Sequence, residues 1–266
     1  MKAIPITHIT FELPVRPGGM RQFRGAVIEN VLQHKPVFEA AGINTEIFHN
    51  HKEAVAVGAA DDVATAEAPE AENYYHYPLV QYNLRHRKAG IMGIGPGAQA
   101  VQLWLSMAGE SITVGGETVP LGIRYHRHVQ WKPALNPGLQ CYRINKWLPF
   151  NKLNYGRWQH THRLQDKAVI LDRIIWGHLF HLAETLGVTI NREGLQLYVS
   201  AIDYMGYCDC YGVKRLALDI TFHTNLNLPT EIGLGTGTTI GFGKVQRIPQ
   251  HNLQLLNQAS ADTNGQ

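Results

Sequence analysis

Strand-like and helix-like hydrophobic periods follow one another in a fixed order along the first half of the chain. Alternation of apolar and polar residues predicts a strand in residues 6–15, and apolar positions spaced by three and four predict a helix over residues 20–40. Further strands are predicted at 43–51 and 74–87, and a second helix at 99–109. Paired β-runs around Gly115-Gly116 then predict a hairpin. This order, β-α-β-β-α-β, is the ferredoxin-like pattern.

The second half repeats much of that order. A strand is predicted in QCYRINKWLPF, and the strongest helix of the sequence follows in DKAVILDRIIWGHLFHLAETLG. LQLYVSAIDYMGY and VKRLALDITFHTN predict a hairpin, and a glycine-rich loop leads into a last strand. We therefore expect an α+β fold of tandem ferredoxin-like (RRM-like) domains over residues 1–128 and 129–250, the second without an obvious second helix.

Charge is distributed unevenly along the chain. Residues 53–72 hold six acidic and no basic residues. The whole chain has a net charge of +3, so the residues outside this segment carry a net charge of +9. Such a basic body favours a polyanionic partner, nucleic acid before membrane. The Ala-rich and acidic segment 53–73 predicts a mobile insertion, and residues 251–266 predict a disordered tail.

The cellular compartment can be predicted from what the sequence contains. No apolar run reaches the 18 or so residues that cross a bilayer. The N-terminus alternates like a strand rather than a signal peptide. Three cysteines, Cys141, Cys208 and Cys210, form no disulfide framework, which suits a reducing cytoplasm. We expect a cytoplasmic protein without a membrane partner.

His49 and His51 flank Asn50 in the stretch FHNH. If residues 43–51 form a strand, both imidazoles project to one face. Histidine exchanges protons near neutral pH, so such a pair suits general acid–base catalysis. Two other interpretations stay open, a zinc site and two surface histidines at a strand end. A zinc site needs further ligands, and nothing nearby in the sequence supplies a strong second pair. Cys208 and Cys210 are a separate candidate metal pair, but no second CxxC pair accompanies them.

The stretch GLGTGTTIGFG, residues 233–243, is the densest glycine segment of the chain. It lacks the GK[ST] of a Walker loop and does not open a dinucleotide-binding βαβ unit. Glycines at this density let backbone amides approach phosphates, or let a loop pack closely against its neighbours. Lys244 and Arg247 follow at once and place cations beside those amides.

These stretches together resemble a known family. The glycine loop after ferredoxin-like halves is similar to the CRISPR-associated repeat-RNA processing endoribonucleases, the sixth Cas family of the repeat-associated RNA-binding superfamily. QFRGAVIENVL, FHNH, YHYPLVQYN, IMGIGPGA and WLPFNKLNYGRW resemble its "b" subgroup. The similarity spans roughly residues 1 to 248.

The resemblance implies a metal-independent cleavage of CRISPR repeat RNA into guide RNA, without a cofactor, leaving a 2′,3′-cyclic phosphate and a 5′-hydroxyl. It implies a catalytic histidine in FHNH and a nearby tyrosine, for which we select Tyr75, with Tyr77 as the second choice. The alternative is a non-catalytic RNA-binding subunit of a CRISPR effector complex. Effector-complex proteins and a second copy of the chain are further candidate partners besides precursor and processed RNA.

RNA affinity comes mainly from contacts to phosphates, so clustered cations and the loop glycines are the candidate binding residues. We expect this role for Arg21, Arg24, Arg85, Arg87, Lys88, Gly235, Gly237, Gly241, Lys244 and Arg247. Arg124, Arg127 and Lys132 add charge nearby, and Tyr125 and Trp131 are available for stacking on bases.

Overall fold

The computed structural model describes residues 3–16, 18–49 and 77–249. Its first four-stranded sheet is antiparallel throughout, in the order β2-β3-β1-β6. These strands are β1 (Ile4–Pro14), β2 (Val80–Arg85), β3 (Lys88–Ile94) and β6 (Ile123–Trp131). A small hairpin of β4 (Ser111–Val114) and β5 (Glu117–Pro120) lies beside this sheet, with Gly115-Gly116 at its turn as the sequence predicts.

Helices α1 (Met20–Gln33) and α3 (Pro96–Met107) cover one face of this first sheet. The apolar residues of α1 recur every three or four positions, so one stripe of the helix is buried. At the centre of this core, the ring of Phe11 lies 5.8 Å from that of Phe23 and 5.9 Å from that of Trp104. The interlocking aromatic rings fix the position of α1 on the sheet.

The second sheet is also antiparallel, in the order β10-β7-β9-β8. Its strands are β7 (Leu135–Trp147), β8 (Leu197–Cys210), β9 (Val213–Leu226) and β10 (Lys244–Ile248). Between β7 and β8 come α4 (Lys152–His160) and the predicted long helix α5 (Leu164–Thr185), whose stripe from Leu171 to Ala183 is buried. Both sheets thus have the strand order expected of ferredoxin-like folds. In the second, the glycine loop stands where a second helix would be.

The two halves share one core. Ile6, Met92 and Trp131 of the first sheet belong to the same buried cluster as Trp147 and Leu179 of the second half. Burial of apolar surface between the halves stabilises their relative position by roughly 25 cal/mol per Å². None of the helices in the described ranges is long and apolar enough to span a membrane.

The predicted division at residue 128 falls inside β6, which ends at Trp131, whereas β7 begins at Leu135. The domain limits stay a prediction, and we would place the division in residues 132–134. The acidic insertion 53–73 and the tail 251–266 lie outside the described residues.

Two local predictions are wrong. The helix predicted over residues 20–40 is interrupted at His34 and continues as α2 (Lys35–Ala40), because Pro36 has no backbone N–H to donate to the preceding turn. Residues 45–48 form a 3₁₀ helix instead of a strand. The Asn44 side chain accepts a hydrogen bond from the Glu46 N–H at 2.9 Å and starts this helix.

Candidate functional site

His49 follows directly after the 3₁₀ helix Thr45–Phe48 in a helical backbone conformation, with φ −92° and ψ −37°. The argument that His49 and His51 share one face of a strand is therefore wrong. The Phe48 ring packs edge-on against Phe38 at 5.7 Å, and the His49 N–H donates to the Glu46 carbonyl at 2.9 Å. The segment that carries His49 is thus anchored in the core, whereas Asn50, His51 and Tyr75 lie outside the described residues.

Arg24 of α1 fixes the position of His49. Its guanidinium Nη2 donates a hydrogen bond of 2.5 Å to the His49 carbonyl oxygen. A bond from a charged donor is stronger than a neutral one, by roughly a factor of two. Arg24 thereby contacts the backbone of the predicted catalytic residue, so at least this nitrogen is not available to a phosphate.

The glycine loop folds onto itself and onto β2. Gly235, Gly237, Gly241 and Gly243 all have positive φ, between 68° and 93°. At position 243 a Cβ would lie 1.9 Å from the carbonyl oxygen of Leu234, whose N–H donates to the Gly243 carbonyl at 2.9 Å. The close-packing requirement therefore accounts for this glycine.

A closed ring of three buried hydrogen bonds attaches this loop to β2. The Gly233 N–H donates to Gln81 Oε1 at 2.8 Å, Gln81 Nε2 donates to the Tyr77 hydroxyl at 2.8 Å, and that hydroxyl donates to the Gly233 carbonyl at 2.7 Å. Burial raises the pKa of Tyr77 far above its ordinary value. With its hydroxyl enclosed, Tyr77 acts as a structural link between the two halves.

A cavity of about 700 Å³ opens between α1, the glycine loop and the tip of the β8–β9 hairpin. Three cations line it, Arg21, Lys146 and Lys244, together with Gly241 of the loop. Its polar lining also includes two carboxylates, Asp209 and Asp219, two amides, Asn145 and Gln246, and Tyr211. Of the predicted binding residues, the structure thus brings Arg21, Gly241 and Lys244 together.

Arg21 and Arg24 connect this cavity to His49. They are three residues apart on α1, so they lie on neighbouring turns of one face, about 4.5 Å apart along the helix axis. Arg21 lines the cavity while Arg24 holds the His49 carbonyl. Both 3₁₀ helices, Thr45–Phe48 and Thr238–Ile240, also contact α1 and β2. The segment before His49 and the glycine loop consequently pack against the same two elements.

The other predicted cations do not line this cavity. Arg85 stacks on the Tyr125 ring at 4.4 Å, and Arg87 occupies the exposed turn between β2 and β3 with φ 62°. Lys88 forms an ion pair with Glu12, which also lies 3.4 Å from Arg124. Arg247 is exposed on β10, a strand at the edge of the second sheet. These groups form a basic surface around the two halves rather than a single cluster.

Lys244 belongs to a set of ionisable side chains that lies between the two sheets. Its Nζ lies 3.1 Å from Glu231, and Glu231 lies 3.6 Å from Nδ1 of His8 on β1. The pKa of His8 is lowered to about 4, mainly by burial, while the cations Arg127, Lys244 and Arg85 act in the same direction and Glu231 opposes them. His8 is therefore neutral at pH 7, and its contact with Glu231 is not an ion pair there. For Glu231, burial works to raise the pKa, but Lys244 and the other positive groups nearby bring it below the ordinary value.

The described ranges 3–16, 18–49 and 77–249 hold no group of three or more His, Cys, Asp or Glu residues arranged to bind a metal. Cys208 and Cys210, the pair that suggested a zinc site, lie beside the glycine loop, and Cys210 is buried against it. Burial raises the pKa of both thiols. A high pKa disfavours the thiolate form that zinc requires.

The sequence-based predictions miss six polar residues of the cavity: Asn145, Lys146, Asp209, Tyr211, Asp219 and Gln246. Lys146 and Tyr211 have positive φ, 47° and 57°. Their backbones turn at a strand end and at a hairpin tip, and no local pattern of the sequence indicates that these positions meet α1. The predicted hairpin places Tyr211 at its turn, and this was the only sequence signal that could have indicated a role for this residue.

Models of two protein-family domains match this chain, one in each half. The model of the Cas6b N-terminal domain matches residues 67–130, and that of the Cas6b C-terminal domain matches residues 135–248, together more than half of the chain. An uncharacterised protein of Methanocaldococcus jannaschii is 25% identical over 108 residues, which is 40% of this chain and 71% of that protein.

Solved structures share the fold over nearly the whole chain. A crystal structure of Cas6b has a TM-score of 0.70 at 18% identity, and one of a CRISPR RNA processing endoribonuclease Cas6b has 0.63 at 15%. A type IV Cas6 crRNA endonuclease has 0.52 at 12%. Each comparison covers 93% of this chain and 100% of the other. These similarities confirm the tandem ferredoxin-like α+β fold.

Proposed function

Because this chain belongs to the Cas6b family, we propose that it is an endoribonuclease that cleaves CRISPR repeat RNA into guide units. The observation that supports this most is the position of His49. Arg24 anchors its backbone, and one helical turn away Arg21 lines a cavity bordered by the glycine loop. His49, whose side chain can transfer protons, is thus linked through α1 to a cationic cavity of about 700 Å³, which suits a nucleotide of a polyanion.

The proposed reaction is a transesterification within the RNA. A base removes the proton of the 2′-hydroxyl, whose oxygen forms a bond to the adjacent phosphorus. The bond from phosphorus to the 5′-oxygen breaks, and an acid protonates that leaving oxygen. The products are a 2′,3′-cyclic phosphate and a 5′-hydroxyl. Each positioned acid or base contributes typically about 10²–10⁴ in rate.

His49 takes one of these two proton-transfer roles. Arg24 and the Glu46 carbonyl hold its backbone from two sides, which restricts where the imidazole can lie. The cations Arg21 and Lys146 at the cavity stabilise negative charge that develops on the phosphate oxygens. His51 and Tyr75 stay the predicted partners for the second role. The scheme assigns both proton transfers to side chains and needs no metal.

The test is cleavage of the repeat RNA from the neighbouring CRISPR array, in the presence of EDTA. We expect one cut per repeat, with a 2′,3′-cyclic phosphate at the 3′ end of the upstream fragment. His49→Ala should reduce the single-turnover rate by roughly 10²–10⁴ and leave the RNA dissociation constant nearly unchanged. His86→Ala, in the exposed turn after β2, is the matched control.

Two results would contradict the proposal in different ways. Cleavage that continues at the full rate in the His49→Ala/His51→Ala double variant would remove the assignment of the site. Tight binding of the repeat by the unaltered chain without any cut would favour the non-catalytic RNA-binding subunit. Sedimentation of the chain alone and with RNA would test the homodimer, and co-purification would test effector-complex partners.

A further inference from the structure

Carboxylates are unexpected in a cavity that serves only to bind RNA phosphates, because like charges repel. Asp209 and Asp219 nevertheless line the cavity beside Arg21, Lys146 and Lys244. The two aspartates are also oriented. Asp209 Oδ1 accepts the Gly212 N–H at 3.0 Å, and Asp219 Oδ1 accepts the Lys146 N–H at 2.6 Å. A second recognition task, separate from the binding of phosphate, would explain why they are held there.

Asp209 is the better placed of the two for that task. Asp219 Oδ2 lies 4.0 Å from the guanidinium of Arg143, so its second oxygen already faces a cation. Asp209 Oδ2 has no hydrogen-bond or ion-pair partner within the described ranges, and the residue is exposed. An ionised carboxylate only accepts hydrogen bonds. Its ligand in the cavity must therefore present donors.

An aromatic ring lies close to Asp209. Tyr211, two residues further on at the hairpin tip, has 46% of its surface exposed. The guanidinium of Arg21 lies 4.5 Å from the centre of its ring, and its hydroxyl lies 3.1 Å from Thr239 Oγ1 of the glycine loop. Arginine planes and tyrosine rings are the surfaces on which unpaired RNA bases stack. The stacking surface is thus held in place from both sides, by α1 and by the loop.

We propose that this cavity binds one unpaired guanine of the RNA, stacked against Tyr211, with its N1–H and N2–H donating to Asp209. Lys146 contacts the phosphate of the same nucleotide. Guanine alone presents two neighbouring donors on one edge. Adenine and cytosine present one donor beside an acceptor, and uracil presents one donor between two carbonyl oxygens, which a carboxylate repels. The inference rests on the proposed function, since it names a base that the site selects in its RNA.

Fluorescence anisotropy with short RNAs tests the selection directly. The probes are 11-mers of uridine with a single central guanosine, inosine or adenosine. We expect the guanosine probe to bind roughly five- to a hundredfold more tightly than the adenosine probe, which is the discrimination typical of a bidentate contact. Inosine, which keeps N1–H and lacks the 2-amino group, should fall between them. Equal binding of all three would overturn the inference.

The variant that isolates the base contact is Asp209→Asn. Its side-chain oxygen can still accept the Gly212 N–H, so the hairpin turn keeps its bond. The guanosine preference should disappear, while binding of the adenosine probe stays equal or improves. Asp166→Asn, in the first turn of α5, is the matched control and should keep the preference. Retention of the full preference by Asp209→Asn would overturn the assigned contact.

Stacking requires its own variant. Tyr211→Ala should weaken binding of every probe several-fold, since stacking is sequence-tolerant. Tyr204→Ala, an exposed tyrosine of the same hairpin that does not line the cavity, should have little effect. If Tyr211→Ala binds all probes as tightly as the unaltered chain, the stacking surface is not used and the inference fails.

The inference and the proposed function can fail separately. If repeat RNA is cut at one position and the three probes bind equally, the proposed endoribonuclease activity is supported and the proposed guanine site is refuted. If the chain prefers the guanosine probe but cuts no repeat RNA, the guanine site is supported and the proposed endoribonuclease activity is refuted.

Discussion

Arg24 Nη2 lies 2.5 Å from the backbone carbonyl oxygen of His49, 25 residues further along the chain. This bond joins α1 to the backbone of the segment that carries the proposed catalytic imidazole. Under the proposed function, we therefore expect Arg24 to be a positioning residue that acts on the rate of cleavage through the location of His49.

Arg24→Gln should lower the single-turnover cleavage rate by roughly 10–100-fold, because loss of the anchor lets His49 move and a displacement of about 1 Å can cost that much. The RNA dissociation constant should change little. Arg24→Lys, which still offers a charged donor, should restore part of the rate. The measurement is cleavage under enzyme excess, with binding followed in parallel.

Arg173→Gln, on the exposed side of α5, is the control for loss of a surface charge and should leave both quantities unchanged. If Arg24→Gln weakens RNA binding and cuts at the normal rate when saturated, then Arg24 contacts phosphate and does not position His49.

Gln81→Met should destabilise the protein by about 1–3 kcal/mol. The change removes the acceptor of the Gly233 N–H and a donor to the Tyr77 hydroxyl, and leaves buried polar groups unpaired. Tyr77→Phe should cost about 1 kcal/mol. Urea denaturation measures both, and the double variant should lose less than the sum because the bonds form one ring.

Gln99→Met, exposed on α3, gives the background for a glutamine-to-methionine change and should stay within about 0.5 kcal/mol of the unaltered chain. Additive effects of Gln81→Met and Tyr77→Phe would show that the ring does not act as a unit.

Gly243→Ala should impair the glycine loop more than its positive φ alone explains. Gly243 and Gly187 have nearly equal φ, 68° and 63°, but a Cβ at 187 meets no atom within 4 Å, whereas one at 243 would collide with the Leu234 carbonyl. Gly187→Ala should therefore cost only about 1–2 kcal/mol, the penalty of a left-handed conformation. Gly243→Ala should cost more and also weaken RNA binding. Equal thermal midpoints for the two variants would refute the importance of the close contact.

Acid should destabilise the protein through His8. Burial lowers the pKa of His8 from 6.5 to about 4. Between pH 6.5 and pH 4, His8 is therefore protonated in the unfolded chain and neutral in the folded chain. The stabilising contribution is complete above pH 6.5 and is lost as the pH falls towards 4. The loss amounts to about 2–3 kcal/mol.

Urea midpoints measured from pH 7 to pH 4 test this expectation. His8→Gln should flatten the decline above pH 4, while His86→Gln, in the exposed turn, should retain it. Glu231, whose pKa is lowered, adds a loss of the same sign at lower pH, as its carboxylate becomes protonated. A decline of equal size in His8→Gln would show that other groups dominate.

The elements with strong local patterns were predictable. α5 carries an apolar stripe from Leu171 to Ala183, and β8 and β9 alternate on either side of a tight turn, so their types follow from period alone. Residues 43–51 were not predictable in the same way. Their short apolar run is compatible with strand or helix, and the Asn44 cap with the burial of Phe48 decided for a 3₁₀ helix.

By itself, the sequence determined the β-α-β-β-α-β order of the first half, the position of the glycine loop and the choice of His49 as a candidate residue, since these depend on periodicity and on motifs within short stretches. Only the tertiary structure decided what surrounds His49. It places Arg24, a predicted RNA-binding residue, against the backbone of His49, and Lys88 in an ion pair with Glu12. Tyr211, Asp209 and Lys146 joined Arg21 at one cavity because the sheets bury a common core. Long-range contacts of this kind depend on how whole elements pack, which no local pattern encodes.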